Sequence, residues 1–253
     1  MPSASALRIQ IEHDLERRFP AALTPAPRTI RETAPTGIAE VDALLDGGLP
    51  VGAISEVTGP ESSGRTSLAQ AFVAQRTQEG RVCAWVDVHD TLDVETAAAN
   101  GVRLRQLLWV RCRAAGVRGK EGAKPWTRLD QALRATDLLL QAGGFSALVL
   151  DLGSTAPEHG LRIPLATWFR FRQAADRTRC CLLLLAQAPL SQSSAALVLE
   201  CPPLRMEAEC QTVLRGFRYE VRRGRQRIAL AGARKPPAST WTAAAAWQRG
   251  EHV

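Results

Sequence analysis

Gly59-Pro60-Glu61-Ser62-Ser63-Gly64-Arg65-Thr66 is the stretch that decides how this chain is read. It satisfies G-x-x-x-x-G-K-[ST] at every position except the lysine, where Arg65 stands. An apolar run over residues 53–58 leads into it, and a helical pattern over 66–79 leaves it. A loop so placed aims consecutive backbone N–H groups and a helix N-terminus at one point, which suits a polyphosphate. Gly59 and Gly64 permit the close turn that side chains would obstruct. Residues 59–66, with Ser67 just inside the helix, are therefore the candidate site for ATP or ADP. Thr66 offers a hydroxyl to Mg²⁺. Arg65 keeps the charge of the expected lysine, but its planar fork places donors differently around a γ-phosphate. Weak binding is thus easier to retain than stabilisation of a transition state. The bland alternative is a bare turn with no ligand.

Working outward, short apolar runs at 82–87, 107–111, 147–151 and 181–187 alternate with helical patterns at 127–142 and 164–177. That alternation predicts an α/β fold with a mostly parallel sheet and helices on both faces. Thr127 with Asp130 three residues later predicts a capping box, and Pro164 suits a first helical turn. Asp151 ends the apolar run Ala147-Leu148-Val149-Leu150 and is the second candidate Mg²⁺ ligand. Beyond Gln187 the pattern turns to strands at 197–200, 204–209 and 216–230, the last predicted to fold into a hairpin at Arg223-Gly224-Arg225.

Toward the N-terminus, Leu7, Ile11, Leu15 and Phe19 form one stripe of a helix, and Pro20, Pro25, Pro27 and Pro35 break it. This helix could pack on its own core or on another molecule, including a second copy. The expected organisation is a helix and Pro-rich linker over 1–34, a core over 35–235, and a flexible Ala- and Trp-containing tail over 236–253. The 253 residues suffice for one domain of ordinary size. No apolar run approaches a bilayer span and the N-terminus lacks a secretory h-region, so a cytoplasmic protein is expected. The six cysteines show no zinc-ligand spacing and read as buried thiols. Net charge is +7, and residues 205–235 hold nine basic against three acidic side chains. Arg222, Arg223, Arg225 and Arg227 are the candidate contacts to DNA or an acidic partner; a charged sheet edge is the alternative.

The whole resembles the RecA family. Pro35-Thr36-Gly37 and Leu44-Leu45-Asp46-Gly47-Gly48-Leu49-Pro50 resemble that family's opening segment, and residues 59–64 reproduce its GPESSG loop letter for letter. The resemblance implies that Asp151 is the Walker B carboxylate, that Gln187 senses the γ-phosphate, and that Asp93 contacts adenine. It also implies departures. Where the family has a Glu that activates water, this chain has His89, with Asp90 adjacent but displaced. Thr96 replaces the aromatic residue that stacks on adenine. Residues 188–196 are short and lack the basic and aromatic side chains that hold single-stranded DNA, and the segment near 157–164 is short as well.

A RecA-like core of this size with degenerate catalytic positions is similar to the ImuA family of damage-inducible accessory proteins. That similarity implies protein binding to a polymerase-like partner (ImuB-like) and an error-prone DNA polymerase, without ATP hydrolysis. An active DNA-dependent ATPase or recombinase and a RecA-related inhibitor of cell division are the alternatives.

Overall fold

The computed structural model describes residues 32–113, 127–209, 213–226 and 238–244. Two short strands, β1 (Thr33–Ala34) and β2 (Leu49–Pro50), pair antiparallel around helix α1 (Ala39–Leu44). The main elements follow as β3 (Ile54–Thr58), α2 (Arg65–Gln78), β4 (Cys83–Asp87), α3 (Val94–Ala99), β5 (Leu107–Arg111), α4 (Arg128–Ala142), β6 (Ala147–Asp151), α5 (Pro157–Gly160), α6 (Leu165–Thr178) and β7 (Cys181–Ala186). Then come β8 (Leu197–Glu200), β9 (Arg205–Glu209), β10 (Val213–Gln226) and β11 (Ala238–Ala244).

The described strands form a sheet in the order β11-β10-β8-β3-β7-β6-β4-β5, with β9 also paired to β10. From β8 to β5 every pairing is parallel, and β9, β10 and β11 pair antiparallel. Alternating residues of the same strands feed two apolar layers, as the two-residue period of a strand requires. Val57, Trp85, Val149, Leu183 and Leu199 pack with Leu68, Phe72 and Val73 of α2. Ile54, Val86, Leu148, Leu150, Leu182 and Leu184 pack with Leu140 of α4 and with Trp168 and Phe171 of α6. Each fully buried large side chain contributes about 1.5–3 kcal/mol, which is why strands buried on both faces read as unbroken apolar runs. The expected α/β architecture is the observed one.

Local signals set the helix starts. Thr127 Oγ1 accepts the Asp130 N–H at 3.1 Å while the Asp130 carboxylate accepts the Thr127 N–H at 3.0 Å, completing the capping box. Pro164 caps α6 from just outside rather than sitting in its first turn. Two expectations are corrected. Arg223-Gly224-Arg225 is not a hairpin: β10 runs through it and pairs with β8, with a register shift between Arg223 and Gln226. Nor is all of 236–253 a flexible tail, because β11 lies along β10 in register from Ala238 to Ala244 and Trp241 is buried. The N-terminal helix expected over residues 7–19 lies outside the described residues.

Candidate functional site

The carboxyl ends of β3, β4, β6 and β7 bring the residues expected at a nucleotide site to one edge of the sheet. Gly59 follows β3 directly, and Gly64 is the left-handed N-cap of α2, with φ of 89°. Both glycines are demanded by close approach as well as by conformation. A β carbon on Gly59 would lie 2.1 Å from the Cys201 carbonyl oxygen, and one on Gly64 would lie 2.4 Å from the Tyr219 ring. Tyr219 stacks on Trp241 with centroids 5.2 Å apart. The C-terminal strands thus buttress the loop. Pro60, Glu61, Ser62 and Thr66 are exposed, whereas Ser63 is buried with its hydroxyl unpartnered.

Arg65 does not reach into solvent above the loop. Only 7% of it is exposed, and its Nη2 donates to the Gly153 carbonyl at 3.3 Å while Nη1 is buried without a partner. Asp151 accepts the Gly153 N–H at 2.9 Å. Burial pushes the Asp151 carboxyl up to about 6; nearby Asp87 adds to the rise, while the Gly153 N–H and Arg65 oppose it. Burial likewise lowers the basicity of Arg65, against the pull of Asp151, yet a guanidinium stays charged at neutral pH. Asp151 and Arg65 are therefore brought together, and Thr66 is not tied to either by a hydrogen bond among the described residues. Thr66 and Asp151 are the protein oxygens a Mg²⁺ would draw on, water and phosphate supplying the rest, and it is the buried Arg65 guanidinium near Asp151 that works against a second cation there.

The loop after β4 is organised by Asp87, which is fully buried. Its carboxylate accepts the N–H groups of His89, Asp90, Thr91 and Leu92 at 2.8–3.1 Å. His89 Nε2 pairs with Thr155 Oγ1 at 2.9 Å. Burial and the nearby Arg128 hold its pKa below the ordinary value, so the ring is neutral at neutral pH. The adjacent Asp90 is engaged by a neighbouring strand. It is locked to Arg111, Nε to Oδ1 at 2.5 Å and Nη2 to Oδ2 at 2.6 Å, and this hydrogen bonding holds its pKa down. Asp93 caps α3 by accepting the Glu95 N–H at 3.1 Å, and its other oxygen accepts the Thr96 hydroxyl. The two positions expected to meet adenine are thus bonded to each other. Beside His89 lies a recess of about 850 Å³ whose walls include Arg128, Thr155, His159, Arg162 and Ile163.

Gln187 is half-buried directly after β7. The segment that follows it is fixed in place by a residue the sequence reading missed. Glu56, fully buried in β3, accepts the N–H of Leu190 at 2.5 Å and of Ser191 at 3.3 Å, and the Ser191 hydroxyl at 2.5 Å. Leu190 in turn packs against Gly160, where a β carbon would lie 2.6 Å from it. The two short loops near 160 and 190 are therefore packed on each other. The only signal for Glu56 was a carboxylate inside an apolar run. Tyr219 was equally legible as the middle of the alternation Phe217, Tyr219, Val221, though its contact with Gly64 was not.

Of the basic candidates, Arg222 is exposed and its Nε pairs with Glu220 at 2.6 Å. Arg222 and Arg223 are consecutive on β10 and so point to opposite faces; the side chains of Arg225 and Arg227 lie outside the described residues. The five described cysteines are free and buried, and Cys210 lies outside the described residues. No helix among the described residues is long and apolar enough to cross a membrane.

A parallel sheet with a glycine loop after β3, a helix springing from it and an acidic residue ending β6 defines a phosphate-loop protein of the α/β class. The profile of the RecA N-terminal domain matches residues 6–158, and the chain belongs to the RecA family. It is 32% identical to Protein RecA of Brucella anthropi over 177 residues, covering 64% of this chain and 45% of that protein. It is 40% identical to Protein RecA of Allorhizobium ampelinum and of Rhizobium rhizogenes over 121 residues, 47% of this chain and 30% of each relative. The chain spans less than half the length of these relatives.

Proposed function

We propose that this chain is an accessory protein of damage-induced translesion DNA synthesis, ImuA-like, whose output is protein binding and not ATP hydrolysis. The observation that carries the reading is the fate of the hydrolytic positions. Arg65 donates to the Gly153 carbonyl, His89 is a neutral ring bonded to Thr155, and Asp90 is spent on Arg111. Phosphoryl transfer depends on positioned charge and a positioned base, so each displacement is severe. The loops near 160 and 190 are packed where the resemblance calls for DNA-holding loops. Leu165 and Phe169, four apart on α6, are exposed by 51% and 47%, and Leu161 in the turn before that helix by 56%; such exposed apolar side chains suit a protein partner.

The partners of this reading are a polymerase-like (ImuB-like) protein and an error-prone DNA polymerase, with the N-terminal helix as the element for self-association. Nucleotide binding is weak and uses the backbone donors of residues 59–66. Contact with DNA is electrostatic and non-specific, through Arg222, Arg223, Arg225 and Arg227, and its affinity falls steeply with salt. The cytoplasm is the compartment this reading requires.

The test is affinity capture from DNA-damaged cells with the full chain as bait. The expected result is recovery of a polymerase-like protein and an error-prone polymerase, undiminished by Arg65→Ala and accompanied by normal damage-induced mutagenesis. Capture that needs an intact phosphate loop, or yields no polymerase, contradicts the reading. The recombinase alternative predicts DNA-stimulated ATP turnover instead.

A further inference from the structure

Two charged side chains meet at Gly153. Measured from the point where a β carbon on that residue would begin, Asp151 Oδ1 is 2.9 Å away, Arg65 Nη2 3.7 Å and Arg65 Nη1 3.9 Å. The guanidinium and the carboxylate thus share one small buried space, each residue only 7% exposed. The Arg65 guanidinium is close enough to Asp151 for the two charges to attract, though they form no direct ion pair. Adding a divalent ion there would set it against a guanidinium in a medium that screens poorly. Thr66, the other oxygen of the expected metal pair, is exposed and unconnected to this cluster.

The same cluster is unfinished as a protein interior. Arg65 Nη1 and Ser63 Oγ are buried polar atoms with no partner in the described residues, and buried donors left unpaired are costly. Both belong to residues 59–66, a glycine loop at a helix N-terminus of the kind that takes phosphate. A phosphate oxygen would satisfy them. On the base side the provision is absent: the Asp93 carboxylate is already bonded to the Glu95 N–H and the Thr96 hydroxyl.

We infer that the phosphate loop takes the polyphosphate chain of its ligand without a divalent cation, the Arg65 guanidinium beside Asp151 filling the charge role of the metal, and with little selection of the base. This rests on the reading of residues 59–66 as a nucleotide site that does not hydrolyse.

The experiment is equilibrium binding of a fluorescent ADP derivative to the full chain, in magnesium and in chelator, with inorganic tripolyphosphate and ATP as competitors. The expected affinities with and without magnesium agree within about twofold, and tripolyphosphate competes about as well as ATP. With Arg65→Ala the dependence on magnesium should rise to roughly tenfold or more, because Asp151 is left without its counter-charge. Arg65→Gln, closer in volume, repeats the comparison should the alanine variant fold poorly. A parallel titration with Mn²⁺, followed by the resonance of the free ion, should show no uptake by the unmodified protein. Binding by the unmodified protein that weakens by about tenfold or more in chelator overturns the inference, as do uptake of Mn²⁺ by that protein and the absence of any nucleotide binding. None of these results touches the adaptor reading, which fails only on partner capture or on hydrolysis.

Discussion

The phosphate loop and the loops around it stand on the same edge of one sheet and have gone different ways. Residues 59–66 keep their glycines, their backbone turn and two unpartnered buried polar atoms. The loops after β4 and β7 have their polar groups committed: Asp87 accepts four N–H groups, Asp93 the Thr96 hydroxyl at the surface, and Glu56 the donors of Leu190 and Ser191. The difference teaches that a ligand site and a motor can be separated. A phosphate cradle is made by backbone geometry and survives loss of its side chains, whereas turnover and DNA coupling need side chains that remain uncommitted.

The largest test of this contrast is Glu56→Ala. It removes the acceptor of three donors in a region fully closed to water, and should cost about 3–5 kcal/mol, measured by urea unfolding. The loss should be accompanied by fast amide exchange over residues 188–196. A small effect would mean that the segment is not held by Glu56.

Asp151→Asn tests the other side. The folded pKa is about 6 against an ordinary 3.8, so the native state holds the extra proton between those values and its stability falls as pH rises through them. The penalty is complete above the folded value. The rise from 3.8 to about 6 corresponds to about 3 kcal/mol, and losing the negative charge near buried Arg65 offsets part of it; the substitution should still stabilise the protein near neutral pH, and the gain should fade on acidification toward the ordinary carboxylate range. His89 has the opposite sign. Its pKa is depressed, so the stability linked to it is present above 6.5 and is lost as pH falls through the native value. His89→Gln should flatten that loss in a pH series of melting curves.

Gly64→Ala places a side chain at φ of 89° and against Tyr219. It should cost about 2 kcal/mol, and it should weaken nucleotide binding while leaving the 188–196 segment protected. The smallest effect is expected for Asp90→Asn. The pair with Arg111 is exposed, so melting should be indistinguishable from the parent and hydrolysis should remain absent. Appearance of turnover on freeing that loop would break the comparison.

The parallel half of the sheet was legible because its signals are local. The runs at 107–111, 147–151 and 197–200 coincide with β5, β6 and β8, and Thr127 with Asp130 starts α4 as read. The C-terminal half was less so. Arg-Gly-Arg looks like a turn in isolation, and only pairing with β8 carries β10 through it. Residues 238–244 have no strong apolar pattern and become a strand by lying on β10, with Trp241 against Tyr219. At the site, the motif marked the loop but not the posture of Arg65, which depends on a carbonyl 88 positions away. Glu56 stood out as a carboxylate inside an apolar run, but its role did not, its partners lying 134 and 135 positions on.

The most direct test of the central claim is ATP turnover by the unmodified full chain, freed of contaminating ATPases, with and without single-stranded DNA. The account predicts turnover at the blank in both conditions, no appreciable rescue by Arg65→Lys or His89→Glu alone, and slow hydrolysis only when both are combined, where Arg65 no longer donates to Gly153 and a carboxylate returns after β4. Vigorous DNA-stimulated hydrolysis by the unmodified protein would contradict it.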